Sequence, residues 1–167
     1  VAVVTGVVAW FTGLPSSGKS TIAFEVAGEL RLRGFEAVTL DSDEVRAALI
    51  PPLGYDDDSR ARLYGTLARL AALVARQGHV VLVPATAHRR TYRDAARALA
   101  PAFFEVFIDT PLAECRLRDT KGLYKGHVAE APGAGLPYEA PLTPDYVVHP
   151  DDDVAAAVIA SKLVEMI

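Results

Sequence analysis

An α/β fold, with a five-stranded parallel sheet flanked by helices, is predicted by three features of the sequence. Short apolar runs at 7–12, 36–40, 79–84, 103–108 and 145–148 alternate with longer stretches of helical spacing, as strands joined by crossover helices do. A length of 167 residues gives one compact domain a real core and is too short for two ordinary ones, so 1–167 reads as a single domain. A glycine-rich octet stands between the first apolar run and the first helical stretch.

Val7-Val8-Ala9-Trp10-Phe11 has the character of a buried strand, with Trp10 in the core. The helix from Ser20 to Arg33 ends at Gly34, a C-cap signal. A short helix is expected at 44–49. The stretch 59–77 places Leu63, Leu67, Leu70, Ala71 and Val74 on one face and stops at Gly78. His79, just ahead of the third strand, reads as a surface or edge residue. Arg93 and Arg97 stand at i and i+4 on a helix, and 111–118 is a further helix that packs Cys115. Residues 151–166 close the chain as a helix behind the acidic cap Asp151-Asp152-Asp153. Residues 120–144, rich in Gly, Pro and Lys without periodicity, form the longest irregular segment, and a loop of that length is functional or disordered.

Composition narrows the function classes. Hydrophobic residues at 51% and charged residues at 23% describe a globular chain. Val1 to Phe11 reaches about half of the ~20 residues a membrane span needs, and no basic segment precedes it, so a core strand is expected and a membrane partner is not. The single cysteine, Cys115, leaves no internal disulfide or zinc cluster and points to a reducing, cytoplasmic compartment. A formal net charge of −4 argues against general nucleic-acid binding. Basic residues do gather locally, as Arg89, Arg90, Arg93 and Arg97 and as Arg116, Arg118, Lys121 and Lys125, where they read either as phosphate-facing groups or as solvated helix faces. The chain begins with Val, as an excised domain would.

The octet Gly13-Leu14-Pro15-Ser16-Ser17-Gly18-Lys19-Ser20 is a G-x-x-x-x-G-K-S phosphate loop in the strand–loop–helix context that the motif needs. Its glycines let successive N–H groups turn inward, and the new helix adds the positive end of its dipole. Lys19 is then expected at the β- and γ-phosphates and Ser20 on Mg²⁺. In parallel sheets ligands bind beyond the carboxyl ends of the strands. Strand two ends there in Asp41-Ser42-Asp43-Glu44, strand three in Pro84-Ala85-Thr86-Ala87 and strand four in Asp109-Thr110. Of the pair Asp41 and Asp43, one carboxylate suits metal-bound water and the other an incoming hydroxyl, while Asp43 also reads as an N-cap of 44–49. Asp109 reads as a cap of 111–118 in preference to a distant metal-shell acid. His88 stands between phosphate contact and solvent exposure.

At this point the sequence resembles the adenylylsulfate (APS) kinases, which phosphorylate the 3′-hydroxyl of APS with ATP. Trp10-Phe11-Thr12-Gly13-Leu14 leading into Ser17-Gly18-Lys19-Ser20-Thr21 matches the family's opening, and Leu40-Asp41-Ser42-Asp43-Glu44-Val45-Arg46 is similar to its L-D-G-D-N-V-R. Leu53-Gly54-Tyr55 with Arg60 resembles L-G-F-S-x-x-D-R, and Phe107-Ile108-Asp109-Thr110-Pro111-Leu112 resembles F-V-D-T-P-L. Arg118-Asp119-Thr120-Lys121-Gly122-Leu123-Tyr124-Lys125 is close to R-D-P-K-G-L-Y-K, and Pro137-Tyr138-Glu139-Ala140-Pro141 to S-P-Y-E-x-P. The resemblance implies a single-domain P-loop kinase fold using ATP and Mg²⁺, with Gly13 to Thr21 on the triphosphate and Arg118 and Asp119 beside the adenine. It implies that Asp41 and Asp43 serve the metal-water network and the acceptor hydroxyl. Arg46 and Arg60 would meet the acceptor's phosphosulfate, Tyr55 its base and Thr86 its pocket wall, with Lys121 and Lys125 on a lid around 118–141 that excludes water. It also implies a homodimer, fused to or associated with a sulfurylase.

Departures from the family pattern lie on the acceptor side. Gly-Asp-Asn becomes Ser42-Asp43-Glu44, R-E-E-N becomes Arg60-Ala61-Arg62-Leu63, and F-I-S-P becomes Ala85-Thr86-Ala87-His88. The family serine of F-I-S-P described as a phosphorylated intermediate is thus absent, and direct in-line transfer requires none. The N-F-T-G-I-D stretch shortens to Ala131-Pro132-Gly133-Ala134-Gly135, losing an aromatic whose stacking would be worth about 1–3 kcal/mol. Two alternatives to APS phosphorylation therefore stand beside it: another nucleotide-linked or natural-product hydroxyl, contacted in part by Glu44, or a catalytically weak regulatory nucleotide-binding domain.

Overall fold

In the computed structural model, which describes residues 4–119, 122–126 and 131–167, the element order is β1 (Val7–Gly13), α1 (Lys19–Leu32), β2 (Ala37–Thr39), α2 (Ser42–Ala48), α3 (Asp57–Ala75), β3 (Val80–Pro84), α4 (Arg90–Leu99), β4 (Phe103–Ile108), α5 (Leu112–Arg118), α6 (Leu123–Gly126), β5 (Tyr146–Val148) and α7 (Ala155–Glu165). The five strands form one sheet in the order β2-β3-β1-β4-β5, and every pairing is parallel.

The continuous apolar character of β1 follows from cover on both faces. Val7, Ala9 and Phe11 point into the core beneath α1 and α7, together with Ile22, Val26, Leu30, Ile159 and Leu163. Val8 and Trp10 point the other way, onto Leu63, Leu67 and Ala71 of α3 and Ala96 of α4. Trp10 is a core residue, as expected, and its indole N–H donates to Ala85 O at 3.2 Å. Fully buried leucines such as Leu63 and Leu67 contribute about 1.5–3 kcal/mol each through removal from water.

Helix ends follow local chemistry, with corrections to the sequence reading. Gly34 and Gly78, at φ 84° and 93°, close the turns after α1 and α3 as expected of C-terminal glycines. On α3 the buried stripe runs Arg60, Leu63, Tyr64, Leu67, Ala68, Ala71, Ala72 and Ala75, and Leu70 turns out to solvent. The small alanines let α3 approach the sheet, so the true stripe is rotated from the one that leucine spacing suggests. Asp56 caps α3 by accepting from Ser59 N at 3.1 Å. The N-cap of α7 is Val154, without a side-chain bond of its own; of the acidic triplet, Asp152 accepts from Val154 N at 3.3 Å and from the Tyr146 hydroxyl at 2.8 Å.

The strand order reverses direction at β1. The chain leaves it toward β3 and β2 on one side and toward β4 and β5 on the other, which opens a crevice at the carboxyl end of β1.

Candidate functional site

A cleft of about 850 Å³ occupies that crevice. One end is lined by Pro15 to Ile22, the other by Asp43, Arg46, Tyr55, Arg60, Tyr64 and Thr86.

The phosphate-loop end is a backbone structure. Gly18 (φ 104°) opens α1 in the left-handed region, and Ser16 (φ 61°) shares that conformation although it carries a side chain. A Cβ at Gly13 would stand 2.8 Å from both Ile108 O and Ser17 Oγ, so only glycine fits there. Ser17 O is tied from outside by the Thr110 hydroxyl at 2.8 Å and by Arg118 Nη1 at 3.3 Å. The Tyr124 hydroxyl donates to Pro15 O at 2.8 Å, and burial raises its pKa above the ordinary phenol range. Lys19 Nζ donates to Leu14 O at 2.8 Å, across the loop's mouth. Among the described residues the buried hydroxyls of Ser16 and Ser17 have no hydrogen-bond partner.

Ser20 Oγ donates to Asp41 Oδ2 at 2.6 Å, while Asp41 Oδ1 accepts from Asp43 N at 2.9 Å. The N-cap of α2 is therefore Asp41, and the capping alternative for Asp43 is corrected: α2 starts two residues earlier than the expected 44, so Asp43 lies inside its first turn. Asp43 is held by Arg46, whose Nη1 donates to Oδ1 at 2.7 Å. Ser20 and Asp41 bring together hard oxygen donors, the set that magnesium takes.

At the other end Arg46 and Arg60 are both buried, and both lie against the Tyr55 ring, with guanidinium carbons 4.1 and 6.0 Å from its centroid. Arg46 Nε has no hydrogen-bond partner among the described residues. Behind them Tyr64, His88 and Tyr92 form an aromatic cluster, with His88 ring centroids 6.3 and 5.6 Å from the two tyrosines. His88 is buried, and it is not among the residues lining the cleft. Burial first, then the positive fields of Arg60 and Arg89, push its pKa down to about 4, so it is a neutral imidazole.

The remaining predicted residues divide. Thr21, Thr86 and Arg118 line the cleft. Asp119 is buried at the end of α5, where Oδ1 accepts from Tyr124 N at 3.4 Å and Oδ2 has no partner among the described residues. Lys125 and Glu44 are exposed and are not among the lining residues. Lys121 and parts of the expected lid, 120–121 and 127–130, lie outside the described residues. Within the described part Leu123 and Pro132 line the cleft, and Gly133 packs so closely on Leu14 that a Cβ would meet its side chain at 2.4 Å. Asp109 does not cap α5, whose N-cap is Pro111; its carboxylate faces His149 Nδ1 at 3.6 Å instead.

The first arginine cluster is neither phosphate-facing nor a solvated face at its centre. Arg93 is fully buried, with Nε donating to Glu105 at 3.1 Å and Nη1 to Ala87 O at 2.6 Å. Thr110, Tyr64 and Tyr124 are site residues that sequence reasoning missed. For Tyr124 and Thr110 the signal was present, since both lie inside the quoted motifs. Tyr64 had only its position one turn after Arg60 on the same helix face.

A parallel α/β sheet, a phosphate loop at its switch point and an aspartate pair beside the loop's serine define a P-loop kinase fold. The comparisons narrow the class. The adenylylsulphate kinase family profile matches residues 5–149, and the chain belongs to that family. It is 39% identical to the adenylyl-sulfate kinase of Enterobacter sp. (strain 638), over 97% of this chain and 83% of that protein. It is 42% identical to the bifunctional enzyme NodQ of Azospirillum brasilense, over 96% of this chain and 27% of that one, so it spans about a quarter of this bifunctional relative. The structure of the Mycobacterium tuberculosis APS kinase CysC in complex with AMPPNP and APS superposes with a TM-score of 0.83 at 38% identity, covering 97% of each chain. Among the described residues no helix is long and apolar enough to cross a membrane.

Proposed function

We propose that this domain transfers the γ-phosphoryl group of ATP to the 3′-hydroxyl of adenosine 5′-phosphosulfate. The observation that carries the proposal is one cleft with a phosphate loop at one end and two buried arginines bracketing Tyr55 at the other, with Asp43 between them. Family membership supports the same pair of substrates.

The loop amides, the Ser16 and Ser17 hydroxyls and Lys19 hold the triphosphate, Lys19 exchanging its bond to Leu14 O for phosphate oxygens. Ser20 and Asp41 would hold the magnesium ion that accompanies ATP, whose chemistry there is neutralisation of charge on the β- and γ-phosphates. Arg46 and Arg60 bind the phosphosulfate, and Tyr55 lies along the base. Asp43, oriented by Arg46, accepts the hydroxyl proton as the acceptor oxygen bonds to the γ-phosphorus and the bond to the β–γ bridging oxygen breaks, releasing ADP. The missing family serine is no obstacle, since transfer is direct. Glu44, exposed and not among the residues lining the cleft, gives no support to the alternative hydroxyl acceptor it would contact. Arg118 and Asp119 serve the adenine side, and Lys125 and Lys121 the lid.

The bifunctional relative supports operation joined to a second enzyme, the family resemblance a sulfurylase as that partner and a homodimer, and the single cysteine a reducing, cytoplasmic setting. A steady-state assay with ATP, Mg²⁺ and APS, beside a no-acceptor control and Asp43→Ala, tests the reading. Turnover that needs both APS and Asp43 is expected; equal ATP consumption by wild type and variant contradicts it.

A further inference from the structure

The wall that Thr86 presents to the cleft is held from behind by residues that the proposed reaction does not use. Each carbonyl of Thr86, Ala87 and His88 accepts one hydrogen bond, from a different part of the chain. The Thr12 hydroxyl donates to Thr86 O at 2.6 Å, Arg93 Nη1 to Ala87 O at 2.6 Å, and Glu139 N to His88 O at 2.8 Å. Ala87 sits at φ 42°, a left-handed conformation that a residue with a Cβ keeps only when its surroundings impose it.

The donors are themselves linked. Thr12 has one hydroxyl proton and spends it on Thr86 O, so in the 2.8 Å contact between Thr12 Oγ1 and the Tyr138 hydroxyl the donor is Tyr138. Burial pushes the Tyr138 pKa up to about 12, which keeps that proton in place. Arg93 spans the system: Nη2 donates to Glu139 O, Nε to Glu105, and Nη1 also approaches Thr12 Oγ1 at 3.4 Å. Arg90 fixes the same strap, its backbone N–H bonding Glu139 Oε1 at 2.9 Å and its Nε bonding Ala140 O at 2.8 Å. Thr12 immediately precedes Gly13, so one hydroxyl joins the start of the phosphate loop to the opposite wall.

We infer that Arg93 and the strap Tyr138–Ala140 are positioning residues that set the Thr86–His88 loop, and through it the fit of the acceptor, without touching either substrate. The inference rests on the reading of that loop as the acceptor wall.

Two variants test it. Tyr138→Phe keeps the ring that stacks on Phe107 and removes only the hydroxyl; Arg93→Lys keeps the charge beside Glu105, but a single ammonium cannot reach Ala87 O, Glu139 O and Glu105 together. The readouts are backbone amide exchange at 86–88, KM for APS and for ATP, and the urea midpoint. Exchange at 86–88 is expected to quicken about tenfold relative to β1. KM for APS is expected to rise about three- to tenfold in Tyr138→Phe, with KM for ATP changed less than about twofold. Unchanged exchange at 86–88 in Tyr138→Phe overturns the inference, as does a rise of both KM values in step with lost stability. Should Arg93→Lys not fold, Tyr138→Phe decides alone. Faster loop exchange in a protein inert toward APS supports the positioning role and counts against the acceptor assignment only.

Discussion

The phosphate-loop end of the cleft is contained in the consecutive residues Gly13 to Thr21, whereas the arginine end is assembled from Asp43, Arg46, Tyr55, Arg60, Tyr64 and Thr86, contributed by several elements. The first end is backbone geometry fixed by glycines and a helix start. The second is side-chain chemistry, in which buried guanidinium groups are carried by aromatic faces and an aspartate. A loop that works through its own amides tolerates little change, while a wall held from behind can change its cleft-facing residues and keep its shape. One of the departures expected from the sequence, Ala85-Thr86-Ala87-His88, falls on that wall.

The largest expected effect separates the ends through the donor. Lys19→Ala should lower kcat by about 10³-fold or more while leaving the affinity for APS within about threefold, read by steady-state kinetics and calorimetry. An equal loss of APS affinity would show that the two ends are not separable. Next in size, Arg93→Met leaves Glu105 buried without its main partner and should cost about 3–5 kcal/mol in urea unfolding, much of it recovered in Arg93→Met with Glu105→Gln. No recovery in the double variant would place the cost in the carbonyls Arg93 holds, which strengthens the positioning account over the ion pair.

Arg60→Met should weaken APS binding by about 10- to 100-fold, the worth of one charged hydrogen-bonding group, with AMPPNP binding unchanged. A matched loss for AMPPNP would break the division between the ends. The smallest effect is a pH dependence of stability. His88 in the folded protein titrates near 4 against about 6.5 unfolded, so the unfolded state takes up the proton first and stability falls as pH drops through that window. At pH 5 the loss should be about 2 kcal/mol relative to pH 7.5, and His88→Gln should lack it. An identical acid-side slope in His88→Gln would contradict the neutral, buried assignment.

The same division explains what could be read in advance. Strand positions, the phosphate loop and the Gly34 and Gly78 turns depend on near neighbours in sequence, and they appear where spacing puts them. Apolar patterning misled on α3, where alanines rather than Leu70 face the sheet, because a close-packed interface selects small residues. Charge patterning misled on Arg93, while of the acidic triplet only Asp152 bonds the start of α7. Nothing local in Phe103 to Ile108 tells that Glu105 points inward at a buried arginine, or that Asp152 turns back to Tyr146. His88 was ambiguous because this loop residue is buried against Tyr64 of α3 and Tyr92 of α4. Tyr124 lay inside a quoted motif, but its bond to Pro15 O joins residues far apart in the chain.

The most direct measurement is the identity of the product. Incubation with ATP, Mg²⁺ and APS, followed by phosphorus–proton correlation NMR, should reveal one new phosphate monoester coupled to the ribose H3′ for each ADP formed. Inorganic phosphate alone, or a phosphate on any other oxygen, would contradict the assignment of this cleft as an APS 3′-hydroxyl kinase.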